Sequence, residues 1–186
     1  MKRIFLILLL IISATSFAQD ETPKRLGFFT SIDANVGFDL GSIIKNNQAN
    51  DDYERSQLPP GKFNYGISAM VGYQPWKWFA ISGGSRYSYI DPNYHLIYWK
   101  VEPKFIISDA LDEDLGYLFF NFGNKINETA ASKAGFVGIG FGKIETLSKR
   151  FGHQFQIYLD VQRIDNESPV FVGFSYGIIL FSNKNL

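Results

Sequence analysis

The chain has 186 residues, 18 basic and 18 acidic side chains, no cysteine, and 17% aromatic residues. That length suits one domain. Without Cys, neither disulfides nor thiolate metal sites nor a lipidated cysteine is expected, and no basic block points to nucleic acid.

The first element has the layout of a cleavable signal peptide. Lys2 and Arg3 precede an apolar run over residues 4–12, and Ser16-Phe17-Ala18 is a small-x-small cleavage site. The run is too short for a membrane helix, which needs about 20 apolar residues. Cleavage after Ala18 would leave residues 19–186 as one barrel domain, with 16 basic against 18 acidic side chains and a net charge of −2. No later stretch is apolar for long enough to cross a bilayer as a helix.

Eight extended segments follow, each alternating with a period of two that a helix cannot keep. In the first, residues 27–40, Phe28, Thr30, Ile32, Ala34, Val36 and Phe38 oppose Phe29, Ser31, Asp33, Asn35 and Gly37. In the second, 62–73, the aromatic and aliphatic face from Phe63 to Tyr73 opposes Asn64, Gly66, Ser68, Met70 and Gly72. The third, 78–89, sets Phe79, Ile81, Tyr87 and Tyr89 against Ser82, Gly84, Arg86 and Ser88. The fourth, 95–107, alternates Ile97, Trp99, Val101, Pro103 and Phe105 with Tyr98, Lys100, Glu102 and Lys104. Those three charges cannot face lipid, where a Lys near the midplane costs about 2–4 kcal/mol.

The fifth segment, 115–124, has a less polar second face, Tyr117, Phe119 and Asn121. The sixth, 135–144, sets Val137, Ile139 and Phe141 against Phe136 and three glycines. The seventh, 151–163, alternates Phe155, Ile157, Leu159 and Val161 with Gln154, Gln156, Tyr158, Asp160 and Gln162. The eighth, 170–181, sets an apolar face from Val170 to Leu180 against Gly173, Ser175 and Gly177. The expected fold is therefore all-β: an eight-stranded antiparallel up-and-down transmembrane β-barrel, apolar face to lipid and polar face to the interior.

Connections follow from that topology. Residues 41–61, 91–94, 125–134 and 165–169 are expected as external loops. Residues 74–77, 108–114 and 145–150 are expected as periplasmic turns. The last two are longer than such turns usually are, so the strand ends there are the least defined.

Asp33, Arg86, Lys100, Glu102, Lys104 and Asp160 all project to the polar side. An eight-stranded barrel is just wide enough for side chains to fill, so these charges are expected to pair across the interior as a structural network. Tyr73, Trp76, Trp78, Tyr87, Tyr89 and Trp99 are expected as membrane-interface aromatics. Asp109, Asp112, Glu113 and Asp114 lack the spacing of a calcium loop and are expected as solvated turn charge. No metal and no cofactor is expected.

Signal sequence, strand count, aromatic–glycine strands such as Phe136-Val137-Gly138-Ile139-Gly140-Phe141-Gly142 and the closing strand 170–181 resemble the small outer membrane β-barrel family, the OmpA/OmpX-like "porin family" barrels of Bacteroidetes. The resemblance covers almost all of residues 26–181. It implies an outer membrane location, outer membrane lipid as surroundings, the barrel-assembly machinery as a partner during biogenesis, and a monomer. Such barrels usually end on an aromatic residue; here Phe181 is followed by Ser182-Asn183-Lys184-Asn185-Leu186. Some small barrels modify lipid A with His beside Ser or Asp, but neither His95 nor His153 lies in a His-x-Ser pattern.

The functional expectation is a non-enzymatic structural or surface-interaction protein with an interior filled by side chains. A small passive channel is the alternative. A lipid A-modifying enzyme and a soluble lipocalin-like binder, whose apolar face would turn inward, rank below it; the early Gly-x-Trp of lipocalins is missing.

Overall fold

Period-two alternation becomes eight antiparallel strands closed on themselves. The structure, a computed structural model, describes residues 26–48, 62–109, 114–129, 131–148, 150–165 and 167–182. The strands are β1 (Phe28–Asp39), β2 (Phe63–Trp76), β3 (Phe79–Ile90), β4 (Tyr94–Asp109), β5 (Asp114–Asn124), β6 (Ala134–Ser148), β7 (Phe151–Ile164) and β8 (Val170–Phe181). Each pairs with its chain neighbours, and β1 closes the barrel on β8 from Phe29↔Phe181 to Asp39↔Phe171. Closure pairs every edge, which a sheet in hydrocarbon requires.

The alternation faces the way the sequence suggests. Phe28, Ile32, Val71, Phe141, Ile157 and Leu180 are each more than half exposed on the outer surface. Ser31, Asp33, Arg86, Glu102, Gln156 and Asp160 are buried inside. A water-soluble barrel would reverse that order.

Inside, side chains are layered. At the end holding the short turns and both strand termini, Phe29, Leu115, Tyr117, Phe119, Ile144 and Ile179 form one apolar cluster. At the loop end, Ile90, Leu96, Tyr98, Phe136, Ile164 and Phe171 form another. The charged residues lie between them.

Strand ends depart from expectation at the turns. β2 runs on to Trp76, β4 to Asp109 and β6 to Ser148. β6 thus takes up most of the expected 145–150 turn, and β7 starts at Phe151. The register shifts between Tyr73 and Trp76, Ile106 and Ser108, and Thr146 and Ser148. A bulge breaks the alternation while pairing continues, so a period-two pattern stops short of the true strand end. Pro75, which has no N–H to donate, sits in the first of these irregularities.

Residues 41–61, expected as loop, begin with a helix, α1 (Leu40–Gln48). Asp39 caps it: Oδ1 accepts the Gly41 N–H at 3.0 Å and Oδ2 accepts the Ser42 hydroxyl at 2.7 Å. Residues 49–61 lie outside the described residues. So do the expected signal peptide, the acidic turn residues Asp112 and Glu113, and the tail from Asn183.

Candidate functional site

The polar interior is the site the strands build. It has two connected groups. In the first, β3 carries Arg86 inward and β7 carries Asp160, with Arg86 Nη1 2.6 Å from Asp160 Oδ2. Arg86 Nε donates to Ser88 Oγ at 3.0 Å. The guanidinium lies 4.9 Å from the Phe136 ring centroid and 5.8 Å from that of Tyr158, both within cation–π range. Gly138 makes the space: it stands in register between Asn121 and Asp160. A Cβ there would overlap Asp160 Oδ1 and come 2.5 Å from Asn121 Oδ1.

The second group starts on β4. Residues 100, 102 and 104 share the inward face, so one carboxylate lies between two ammonium groups. Glu102 Oε2 is 2.6 Å from Lys100 Nζ, and Oε1 is 3.2 Å from Lys104 Nζ. Two glutamines of β7 extend the network. Gln156 Nε2 donates to Glu102 Oε1 and to the Tyr117 hydroxyl oxygen, each at 3.1 Å, while its Oε1 accepts from Ser175 Oγ at 2.8 Å. Gln154 Oε1 accepts from Lys104 Nζ at 3.3 Å, and its Nε2 donates to Asp33 Oδ1. Lys104 Nζ also lies 5.0 Å from the Tyr117 ring centroid and 5.3 Å from that of Phe29.

The six charged residues singled out from the sequence therefore meet inside one barrel. Three cations, Arg86, Lys100 and Lys104, face three anions, Asp33, Glu102 and Asp160. None is more than 5% exposed. Charges removed from water this completely persist only when paired and hydrogen-bonded. Between the two groups lies a cavity of about 10 Å³, lined among others by Asp33, Asn35, Arg86, Lys100 and Asn121. That is on the order of the space one water fills. An ion path needs a continuous opening, and apolar layers lie at both ends of this space.

The glutamines, Tyr117, Tyr158 and Ser175 were visible from the sequence only as inward-facing positions. That Gln154 bridges Lys104 and Asp33, and that Gln156 ties Glu102 to Tyr117 and Ser175, depends on cross-barrel distances. The available signal was the polar run Gln154, Gln156, Asp160 and Gln162 on one face of β7.

The aromatics expected at the membrane interface occupy the two ends of the barrel and one deeper position. At the turn end, Trp76 and Trp78 stack with centroids 5.5 Å apart, and Tyr73 lies 4.6 Å from Phe28. At the loop end, Tyr89 donates to Pro92 O at 3.0 Å, and the Tyr87 hydroxyl is 2.8 Å from His95 Nδ1. Trp99 lies well inside β4, opposite Ser85, with its ring edge-on to Phe122.

Both histidines are on the outer surface. His95 bonds Tyr87 and His153 bonds Tyr176. Neither forms a hydrogen bond to a Ser hydroxyl or an Asp carboxylate among the described residues. No group of three or more His, Asp or Glu side chains is placed to hold a metal ion among those residues.

Two loops at the same end of the barrel are tied together by Asp165. Its Oδ1 accepts from Ser132 Oγ at 2.6 Å and from the Lys133 N–H at 2.9 Å. These bonds hold its carboxyl below the ordinary aspartate value of 3.8. Lys62 and Glu167 pair across the same end.

No protein-family model matches the chain, and no curated protein sequence matches it. Solved structures do. Neisserial surface protein A superimposes with a TM-score of 0.60 at 9% identity, over 84% of this chain and 97% of that one. The N-terminal β-barrel domain of Pseudomonas aeruginosa OprF gives 0.44 at 14% identity, over 81% and 96%. A de novo designed transmembrane β-barrel gives 0.41 at 10%, over 86% and 99%. At 9% identity the Neisserial likeness is one of fold. With the outward apolar face and full closure, it makes this chain an eight-stranded up-and-down β-barrel of the transmembrane type.

Proposed function

We propose that the chain is an integral outer membrane protein with a structural or surface-interaction role, and that side chains close its interior. The observation that carries this reading is the neutral set of six buried charges held between two apolar layers. Such an interior stiffens a barrel and leaves the external loops as the variable surface. The residues of the signal-like start, Lys2 and Arg3 before the apolar run, support export. The aromatic–glycine strands favour kinship with the small porin-family barrels of Bacteroidetes, and Phe181, paired with Phe29 at the seam, is the residue offered to the barrel-assembly machinery. The protein acts as a monomer, without enzymatic activity and without a cofactor.

Membrane extraction tests the location. The chain should stay in the outer membrane fraction through high salt and leave only in detergent. Release by salt alone would overturn the reading. An unchanged lipid A mass profile in a deletion strain is expected as well; an altered profile would favour an enzyme.

A further inference from the structure

A second candidate site lies on the outer surface, at the loop end of β5, β6 and β7. The outward-facing residues there are in register across three strands: Asn124 opposite Gly135 opposite Arg163, and one step nearer the barrel's middle Phe122, Val137 and Val161. Gly135 adds no side chain of its own, and the Asn124 carboxamide lies over it, with Oδ1 2.6 Å from the place a Cβ would take. Beside it lies a groove of about 700 Å³, within the size range of small-molecule sites.

The groove has a polarity gradient. Its floor toward the middle of the barrel is Val137 and Val161, both exposed. Its upper margin carries Ser132, Lys133 and Arg163. Neither the Lys133 ammonium nor the Arg163 guanidinium makes a hydrogen bond or ion pair with another described residue. Nearby charges are otherwise engaged. Lys125 Nζ donates to Ala131 O, Asp165 accepts from Ser132 and the Lys133 N–H, and Glu167 pairs with Lys62.

We propose that this groove binds an acylated lipid bearing a phosphate headgroup, in the leaflet at the loop end. Lys133 and Arg163 hold the phosphate, and an acyl chain lies along Val137 and Val161. An Arg fork suits phosphate oxygens and Lys adds a point charge. Apolar surface below and cations above match the order of tail and head in such a lipid. The inference rests on the outer membrane reading above, because only a bilayer brings lipid to this face.

The test uses the full chain refolded in a glucoside detergent, with native mass spectrometry to count retained lipid. The probes are diphosphorylated lipid A, the same lipid stripped of both phosphates, and inorganic phosphate. Diphosphorylated lipid A should be retained at least about ten-fold better than the stripped form, the size of one charge-assisted contact. Lys133→Glu with Arg163→Glu should erase that preference, and the milder Lys133→Gln with Arg163→Gln should weaken it in the same direction. Gly135→Leu pushes the Asn124 carboxamide aside and crowds the groove without changing charge, and should lower retention as well. Three results would overturn the proposal: equal retention of both lipids, no effect of either pair of substitutions, or complete displacement of lipid A by millimolar inorganic phosphate, which would mark a free-anion site. Failure of the chain to enter vesicles would instead count against the membrane reading, so the two failures are distinguishable.

Discussion

Glu102→Ala removes the carboxylate between two buried ammonium groups. Lys100 is 5% exposed and Lys104 1%, and each lies within 3.2 Å of a Glu102 oxygen. Deleting one member of a buried pair leaves uncompensated charge and costs about 3–5 kcal/mol. Gln156 also loses an acceptor, although its bonds with Tyr117 and Ser175 remain. A paired substitution separates charge from shape. Lys100→Met with Glu102→Leu removes one cation and one anion together, leaving Lys104 linked through Gln154 to Asp33 and Arg86 paired with Asp160. That double variant should regain most of the loss, since apolar residues of similar volume replace buried ion pairs at little cost. Equilibrium urea unfolding in phospholipid vesicles, followed by the fluorescence of Trp76, Trp78 and Trp99, reads both. The reasoning is refuted if Glu102→Ala stays within about 0.5 kcal/mol of the parent, the range of an ordinary surface substitution, or if the double variant is no more stable than the single one.

Other outcomes follow from the same geometry. Ile139→Lys, on the outward face midway along β6, should destabilise by about 2–4 kcal/mol in vesicles, while Asn124→Lys at the rim should cost about 0–1 kcal/mol; equal effects would deny that this face meets hydrocarbon. Gly138→Val drives a side chain into the Asp160 carboxylate and should cost about 3 kcal/mol or more, seen as loss of the heat-resistant fast-migrating form in electrophoresis; normal folding would show that the Arg86–Asp160 pair tolerates displacement. The Asp165 carboxyl should titrate below 3.8 by NMR, with the Lys133 amide shift following it. Because its folded value is depressed, the loop tie contributes above the unfolded pKa and is lost as pH falls through the folded one. Titration at or above the ordinary value would mean that the tie does not form.

The barrel was legible because one physical constraint acts on every strand. Lipid outside and a narrow interior force a period of two, and Ile97-Tyr98-Trp99-Lys100-Val101-Glu102 states it in six residues. What alternation could not reveal lies where the period breaks. The bulges after Tyr73, Ile106 and Thr146 hid the last residues of β2, β4 and β6. The cap at Asp39 starts a helix that a composition rich in Asn and Asp disguised as loop. The charged residues were legible as inward-facing, but their connections were not. That Gln154 links Lys104 to Asp33 depends on three strands, β4, β7 and β1, meeting across the interior, a distance no local pattern encodes. The groove beside Gly135 was hidden for the same reason: Asn124, Gly135 and Arg163 come from three strands and only the register aligns them.

Single-channel recording in planar bilayers tests the closed interior most directly. The full chain, inserted from detergent and held at either polarity, should give no steady open level. Reproducible discrete open levels would contradict an interior closed by Arg86, Lys100, Glu102, Lys104, Asp33 and Asp160 between its two apolar layers.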